Sequence, residues 1–141
     1  MSLTFKHLAA LEAAGAPFVV VTVIDTGGST PRLAGSAMAV LEGAFHGTIG
    51  GGAFEKLALE KARELLAPGA PRSGRFATHL TRDLGMCCGG RMEVFMHRVD
   101  SDPTLWIFGA GHVGTALAQA AHAAGFQVEV VDERAEWADV S

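Results

Sequence analysis

The chain has 141 residues, 49% of them apolar and 18% charged, so a packed core is expected and a disordered chain is excluded. A formal net charge of −4, without a cluster of Lys and Arg, argues against a nucleic-acid partner. No apolar run approaches the roughly 20 residues that span a bilayer, and the N-terminus lacks a signal-peptide pattern. The two cysteines, Cys87 and Cys88, are adjacent and have no third partner, which predicts a reducing, cytoplasmic setting.

Residues 1–100 are predicted to form an α+β domain. Apolar positions at helical spacing predict helices, and β-branched or alternating apolar runs predict strands. In chain order we expect a helix over Thr4 to Ala14, a strand over Phe18 to Ile24, strands over Ser36 to Leu41 and Ala44 to Ile49, a helix over Ala53 to Ala67, and strands over Arg75 to Leu80 and Arg91 to Val99. Loops are expected over Asp25 to Gly35 and Thr81 to Gly90, because glycine and proline interrupt the pattern there.

Residues 104–141 carry the start of a Rossmann-like dinucleotide-binding domain. A short apolar strand runs directly into Gly109, Gly111 and Gly114, a helix follows, and a second strand ends at Asp132. In such a fold the glycines permit a tight turn, the approach of a pyrophosphate and close packing of helix on strand, while the acid binds a ribose hydroxyl. A packing role for the glycines, with no nucleotide bound, is the alternative. The chain ends nine residues after Asp132, so we expect this domain to be incomplete.

Three glycine-rich segments in the first part of the chain are candidate anion-binding loops, since such loops expose backbone N–H groups. Their candidate cofactor-binding residues are Ser29, Arg32, Gly50, Gly51, Gly52, Glu55, Cys88, Gly89 and Gly90. A guanidinium could add a bidentate phosphate contact, and a thiolate is a soft metal ligand, which makes Cys88 the candidate metal ligand. Each feature also has an ordinary structural explanation, as a turn, a helix-dipole contact or a small buried thiol.

Taken in order, these segments resemble the XdhC/CoxI family, accessory proteins of xanthine dehydrogenase and related molybdenum hydroxylases. The resemblance rests on Gly28-Ser-Thr-Pro-Arg32 with Gly35 and Met38, on Gly47-Thr-Ile-Gly-Gly-Gly52 with Glu55, on Cys88-Gly-Gly90, and on the Rossmann fingerprint. The family has a small N-terminal domain followed by a complete Rossmann domain. By that measure, we expect the Rossmann domain of this chain to be truncated.

The resemblance implies a protein that binds the molybdenum cofactor (molybdopterin), supports its sulfuration and inserts it into an apo xanthine dehydrogenase or a related molybdenum hydroxylase. It favours a non-catalytic chaperone over an enzyme, with Cys88 facing sulfur or molybdenum and a cysteine desulfurase as a further partner. The unfinished parallel sheet would expose an edge strand, which favours a homodimer.

Two other functions are compatible with the fingerprint. An NAD(P)-dependent oxidoreductase would need an acid–base residue, for which His79, His97 and His112 are the candidates, although none lies in a recognisable catalytic motif. A nucleotide-sensing module would use the glycines and Asp132 to bind a ligand without chemistry.

Overall fold

The computed structural model describes residues 2–85, 89–100 and 102–134. The chain divides into two units, Met1–Ser101 and Asp102–Ser141, each with its own sheet. The first is a mixed unit of antiparallel strands and helices, and the second holds a single parallel β-α-β element of Rossmann type. The predicted fold class is therefore confirmed.

The first unit is built on a five-stranded antiparallel sheet. Its elements are α1 (Phe5–Ala13), β1 (Phe18–Gly27), β2 (Ala37–Val40), β3 (Phe45–Gly47), α2 (Gly52–Leu66), β4 (Ser73–His79), α3 (Leu80–Leu84) and β5 (Arg91–Val99). The strands lie in the order β3-β2-β1-β5-β4, so β1 and β5 are neighbours at the centre. Their register pairs Gly27 with Arg91, which brings the loop after β1 beside the residues that precede β5.

The core of this unit lies between α2 and one face of the sheet. Alternate residues of β1 point to that face and are fully buried, namely Val19, Val21 and Val23. The helix contributes residues three or four positions apart, Phe54, Ala58, Ala62 and Leu65. Each large side chain buried in this way stabilises the unit by about 1.5–3 kcal/mol relative to an exposed one. The core therefore fixes the start of α2 against the sheet.

Two predicted loops differ from the structure. Strand β1 continues through Gly27, with a shift in its pairing to β5 between Val23 and Asp25, where the sequence predicted a loop from Asp25. Within the predicted loop Thr81 to Gly90, the short helix α3 forms instead. The carboxylate of Asp83 accepts hydrogen bonds from the Thr78 hydroxyl and the His79 N–H, and Gly85 ends the helix at a φ of +63°. Hydrophobic periodicity cannot detect a helix of five residues whose start is held by hydrogen bonds to a side chain within it.

The second unit consists of β6 (Thr104–Phe108), α4 (His112–Ala123) and β7 (Gln127–Val131). Strands β6 and β7 are parallel and pair from Thr104 with Gln127 to Phe108 with Val131. Their carboxyl ends therefore lie side by side, next to the start of α4. Among the described residues, neither unit has a helix of the length and apolar character needed to cross a membrane.

Candidate functional site

The first and third glycine-rich segments are in direct contact. A Cβ atom added at Gly90 would overlap the carbonyl oxygens of Ser29 and Gly27. A Cβ at Gly28 would lie 3.3 Å from the Cα of Gly90 and 3.7 Å from the carbonyl oxygen of Gly89, and Gly28 has a φ of +71°. Only glycine fits at Gly90 without moving the loop. The structure thus brings together two predicted segments that are about sixty residues apart in sequence.

The first and second segments are also in contact. A Cβ added at Gly50 would lie 2.7 Å from Cγ of Pro31 and 3.4 Å from Cγ of Arg32, so this glycine leaves room for the Pro31–Arg32 turn. A hydrogen bond of 3.0 Å from the Thr30 hydroxyl to the Arg32 carbonyl oxygen holds the same turn. The loop that contains Ser29 and Arg32 is therefore in contact with both other segments.

The turn at Gly50, Gly51 and Gly52 is closed by the side chain of Glu55. One carboxylate oxygen, Oε2, accepts hydrogen bonds from the backbone N–H of Ile49 at 2.9 Å and of Gly51 at 3.1 Å, and from the hydroxyl of Thr48. The Thr48 hydroxyl in turn accepts from the N–H of Gly50 at 3.1 Å. The N–H groups of Gly50 and Gly51, which the sequence offered to a ligand, are thus bound within the chain.

This bonding changes the acidity of Glu55. Burial raises the pKa of its carboxyl, but the hydrogen bonds from Thr48 and from the backbone of the turn lower it by more, so the pKa lies below its ordinary value. The carboxylate is therefore charged at neutral pH. It acts as an internal anion in a turn whose three successive glycines have φ of +129°, +75° and +68°.

The predicted metal ligand, Cys88, lies outside the described residues, as does Cys87. The residues on either side are held firmly. The N–H of Leu80 donates to the carbonyl oxygen of Gly90 at 2.8 Å, and Asp83 caps α3 at its start. Hydrogen bonds from Arg82 and from the His79 N–H lower the pKa of Asp83 to about 2. Within the described residues, no three His, Cys, Asp or Glu side chains are placed to hold a metal ion.

In the second unit, the glycine fingerprint forms the turn between β6 and α4. Gly109 has a φ of +108° and donates its N–H to the carbonyl oxygen of Val131 at 2.8 Å. A Cβ added at Gly114 would overlap the carbonyl oxygen of Gly109, so this glycine allows the helix to pack closely on the turn that follows β6. A cavity of about 460 Å³ borders Gly109, Gly111, Gly114 and His112. The start of α4 therefore faces an open space, as a phosphate site requires.

Asp132 is committed to bonds within the second unit. Its Oδ2 accepts from the N–H of Ala110 at 2.7 Å and from Nη2 of Arg134 at 2.8 Å, and its Oδ1 accepts from the backbone N–H and Nε of Arg134. These bonds, the Arg134 side chain first, hold the pKa of Asp132 well below its usual range. A carboxylate has about four acceptor positions, and all are used. A ribose hydroxyl would have to displace the Arg134 guanidinium.

Sequence reasoning missed three residues that shape these sites, namely Thr48, Asp83 and Arg134. Their roles depend on contacts with Glu55, with the start of α3 and with Asp132. For Asp83 the sequence did contain a local signal, because it follows Thr78 by five residues at the end of a strand and such polar pairs often bond locally. Of the histidines considered, His112 borders the fingerprint cavity, whereas His79 and His97 belong to the first unit.

Family models match both units of the chain. The model of the XdhC and CoxI family matches residues 11–78, and the model of the XdhC Rossmann domain matches residues 105–141. The chain belongs to the XdhC and CoxI family. This confirms the resemblance drawn from the glycine-rich segments and the fingerprint. The family matches cover the residues from Arg32 to Glu55 in one unit and from Gly109 to Asp132 in the other.

The known proteins that are similar to this XdhC-family chain include one from Escherichia coli and one from Bacillus halodurans. An Escherichia coli K12 protein described as the uncharacterized protein YqeB is 38% identical over 130 residues, a match that covers 91% of this chain and 24% of YqeB. A crystal structure described as a xanthine dehydrogenase from Bacillus halodurans has a TM-score of 0.54 and 17% identity, and the match covers 94% of this chain and 63% of that one. At that identity the second likeness shows the fold alone.

Proposed function

We propose that this XdhC-family chain binds the molybdenum cofactor, supports its sulfuration and delivers it to an apo xanthine dehydrogenase or a related molybdenum hydroxylase. The observation that carries the proposal is the convergence of three glycine-rich segments in one unit. Gly28 lies against Gly90, and Gly50 lies against Pro31 and Arg32. The segment from Gly28 to Arg32, which carries hydroxyls and a guanidinium, therefore lies against Gly50 on one side and against Gly90, the second residue after Cys88, on the other.

The chemistry of these groups suits a carrier. Guanidinium and hydroxyl donors recognise phosphate and the polar edge of a pterin, and a thiolate is a soft ligand for molybdenum or an acceptor of sulfur. If the thiol of Cys88 holds or passes sulfur, a cysteine desulfurase is the expected donor, and the apo hydroxylase is the expected recipient. In this proposal the chain binds and transfers a cofactor and does not turn over the substrate of the hydroxylase.

Replacing Cys88 with alanine tests the proposal. The Cys88→Ala chain is expected to fold normally and to lose most of its ability to retain molybdopterin or to activate an apo hydroxylase, because the substitution removes the proposed ligand. Cys87→Ala is the matched control, since it removes a neighbouring thiol outside the family pattern, and it should retain most of the activation. Equal activation by Cys88→Ala and the unchanged chain would refute the assigned thiol.

The same preparations separate the proposal from the nucleotide alternatives. The turn at Gly109 and the open space before α4 favour some nucleotide binding in the second unit. Molybdopterin found in the purified protein supports the carrier. Turnover of a nicotinamide cofactor, with no molybdopterin bound, would support an NAD(P)-dependent oxidoreductase instead.

A further inference from the structure

A small polar cavity lies in the first unit, next to the Pro31–Arg32 turn. Its volume is about 350 Å³, and its lining includes Arg32, Ser36, Thr48 and Ser2. This space is large enough for a phosphate group and its first waters. It is distinct from the Gly50–Gly52 turn, where the N–H groups of Ile49 and Gly51 bind Glu55.

Several donors of this cavity are not used by the protein. Within the described part of the chain, the guanidinium of Arg32 forms no ion pair, and the hydroxyls of Ser36 and Ser2 form no hydrogen bond. The Thr48 hydroxyl is different, because it donates to Glu55 and can offer a ligand only an acceptor. The cavity thus presents one cation and two neutral donors to a guest.

The backbone that carries these donors is held in place. The carbonyl oxygen of Ser36 accepts from the N–H of Val23 at 2.9 Å, which joins Ser36 to the central strand β1. The N–H of Ser36 donates to the carbonyl oxygen of Leu33 at 3.2 Å. The carbonyl oxygen of Arg32 accepts from the Thr30 hydroxyl, and the Cγ of Arg32 lies beside Gly50. Donors positioned before binding cost less to order around a ligand.

The carboxylate of Glu55 distinguishes the glycine turn from the cavity. Its carboxylate already fills the turn, where it is bonded to Thr48, Ile49 and Gly51. A second anion would enter that turn only by displacing it. The cavity offers the guanidinium of Arg32, whose Cγ lies beside Gly50 and which pairs with no carboxylate of the described residues, so nothing has to be displaced there. The observations therefore favour the cavity over the glycine turn as the place for an anionic group.

We infer that the Arg32–Ser36 cavity is a subsite for a phosphate monoester, and that Glu55 keeps the adjacent glycine turn closed to it. This inference rests on the proposed function for the identity of the ligand, since the phosphate of molybdopterin is the group that would enter. It replaces the expectation that Gly50, Gly51 and Gly52 bind the phosphate. Arg32 supplies the charged contact, and Ser36 supplies a second, neutral hydrogen bond.

Inorganic phosphate is the first probe, titrated into the 141-residue chain while backbone amide resonances are followed by NMR. Saturable shifts are expected at Ser36 and its neighbours. Arg32→Gln should weaken binding by roughly 10- to 100-fold, and Ser36→Ala by roughly two- to tenfold. Arg75→Gln is the matched control, because Arg75 is an exposed arginine on β4 at the far edge of the sheet, and it should bind phosphate as the unchanged chain does.

Three results would decide the matter. Shifts centred on Ile49 and Gly51, with binding unaffected by Arg32→Gln, would overturn the inference and place the anion in the turn. Molybdopterin retained equally by Arg32→Gln, Ser36→Ala and the unchanged chain would also overturn it, while leaving the proposed function intact. Phosphate bound at Ser36 by a chain that never retains molybdopterin would support the subsite and remove the proposed cofactor.

Discussion

Replacing Glu55 with alanine is expected to destabilise the first unit by about 2–3 kcal/mol, because it removes the acceptor of three hydrogen bonds. Ile49 is fully buried, so its N–H would lose its partner without gaining water, at a cost of about 1–3 kcal/mol. Gly51 and Thr48 are only partly buried, and water can replace much of what they lose. The buried amide therefore supplies most of the expected effect.

Thermal unfolding is the direct measurement. For a unit of this size, about 1 kcal/mol corresponds to roughly 4–8 °C in Tm, so Glu55→Ala should lower the Tm on the order of 10–20 °C. Glu55→Gln keeps an oxygen acceptor without the charge and should fall between, at about 1 kcal/mol. Glu60→Ala removes an exposed carboxylate from the same helix and should stay within about 0.5 kcal/mol of the unchanged chain.

The pH dependence gives a second, independent readout. Because the pKa of Glu55 is lowered on folding, its contribution is fully present above the unfolded value of 4.5 and is lost as the pH falls through the folded value. The stability difference between the unchanged chain and Glu55→Gln should therefore shrink in acid. A Tm for Glu55→Ala equal to that of Glu60→Ala at neutral pH would show that the hydrogen bonds do not hold the turn.

Two further predictions concern the other glycine turn and the segment before the cysteines. Gly114→Ala should destabilise the second unit by about 3 kcal/mol or more, because the new Cβ overlaps the Gly109 carbonyl oxygen. Gly111→Ala is the control and should cost far less, since its new Cβ meets no atom within 4 Å. Amide exchange in α4 measures the difference, and equal exchange in both variants would contradict the geometry. The pKa of Asp83 is lowered to about 2, so its capping of α3 should be complete above pH 3.8 and lost as the pH falls through about 2. In Asp83→Asn the amide exchange of α3 should no longer depend on the pH in this acid range. A pH profile of exchange equal to that of the unchanged chain would argue against the cap.

The local pattern of the sequence was sufficient for most of the elements and for the family. Alternating buried valines at Val19, Val21 and Val23 specify a strand with one face in the core, because side chains on a strand alternate between its two faces. The order of strand, glycines, helix and second strand likewise specifies the β-α-β element. In both cases the residues that determine an element lie within that element or next to it. The predicted fold class and the family resemblance were both confirmed on that basis.

The partners of the polar groups were decided only by the tertiary structure. Gly28 and Gly90 are brought together because β1 and β5 are neighbours in the sheet, and no local pattern predicts that pairing. Glu55 and Asp132 were predicted as ligand contacts, yet the fold gives the first to the backbone of its own turn and the second to Arg134 and Ala110. A carboxylate binds whichever donors the folded chain places nearest to it. The sequence therefore shows that an acceptor is present, whereas its hydrogen-bond partner depends on how the loops pack together.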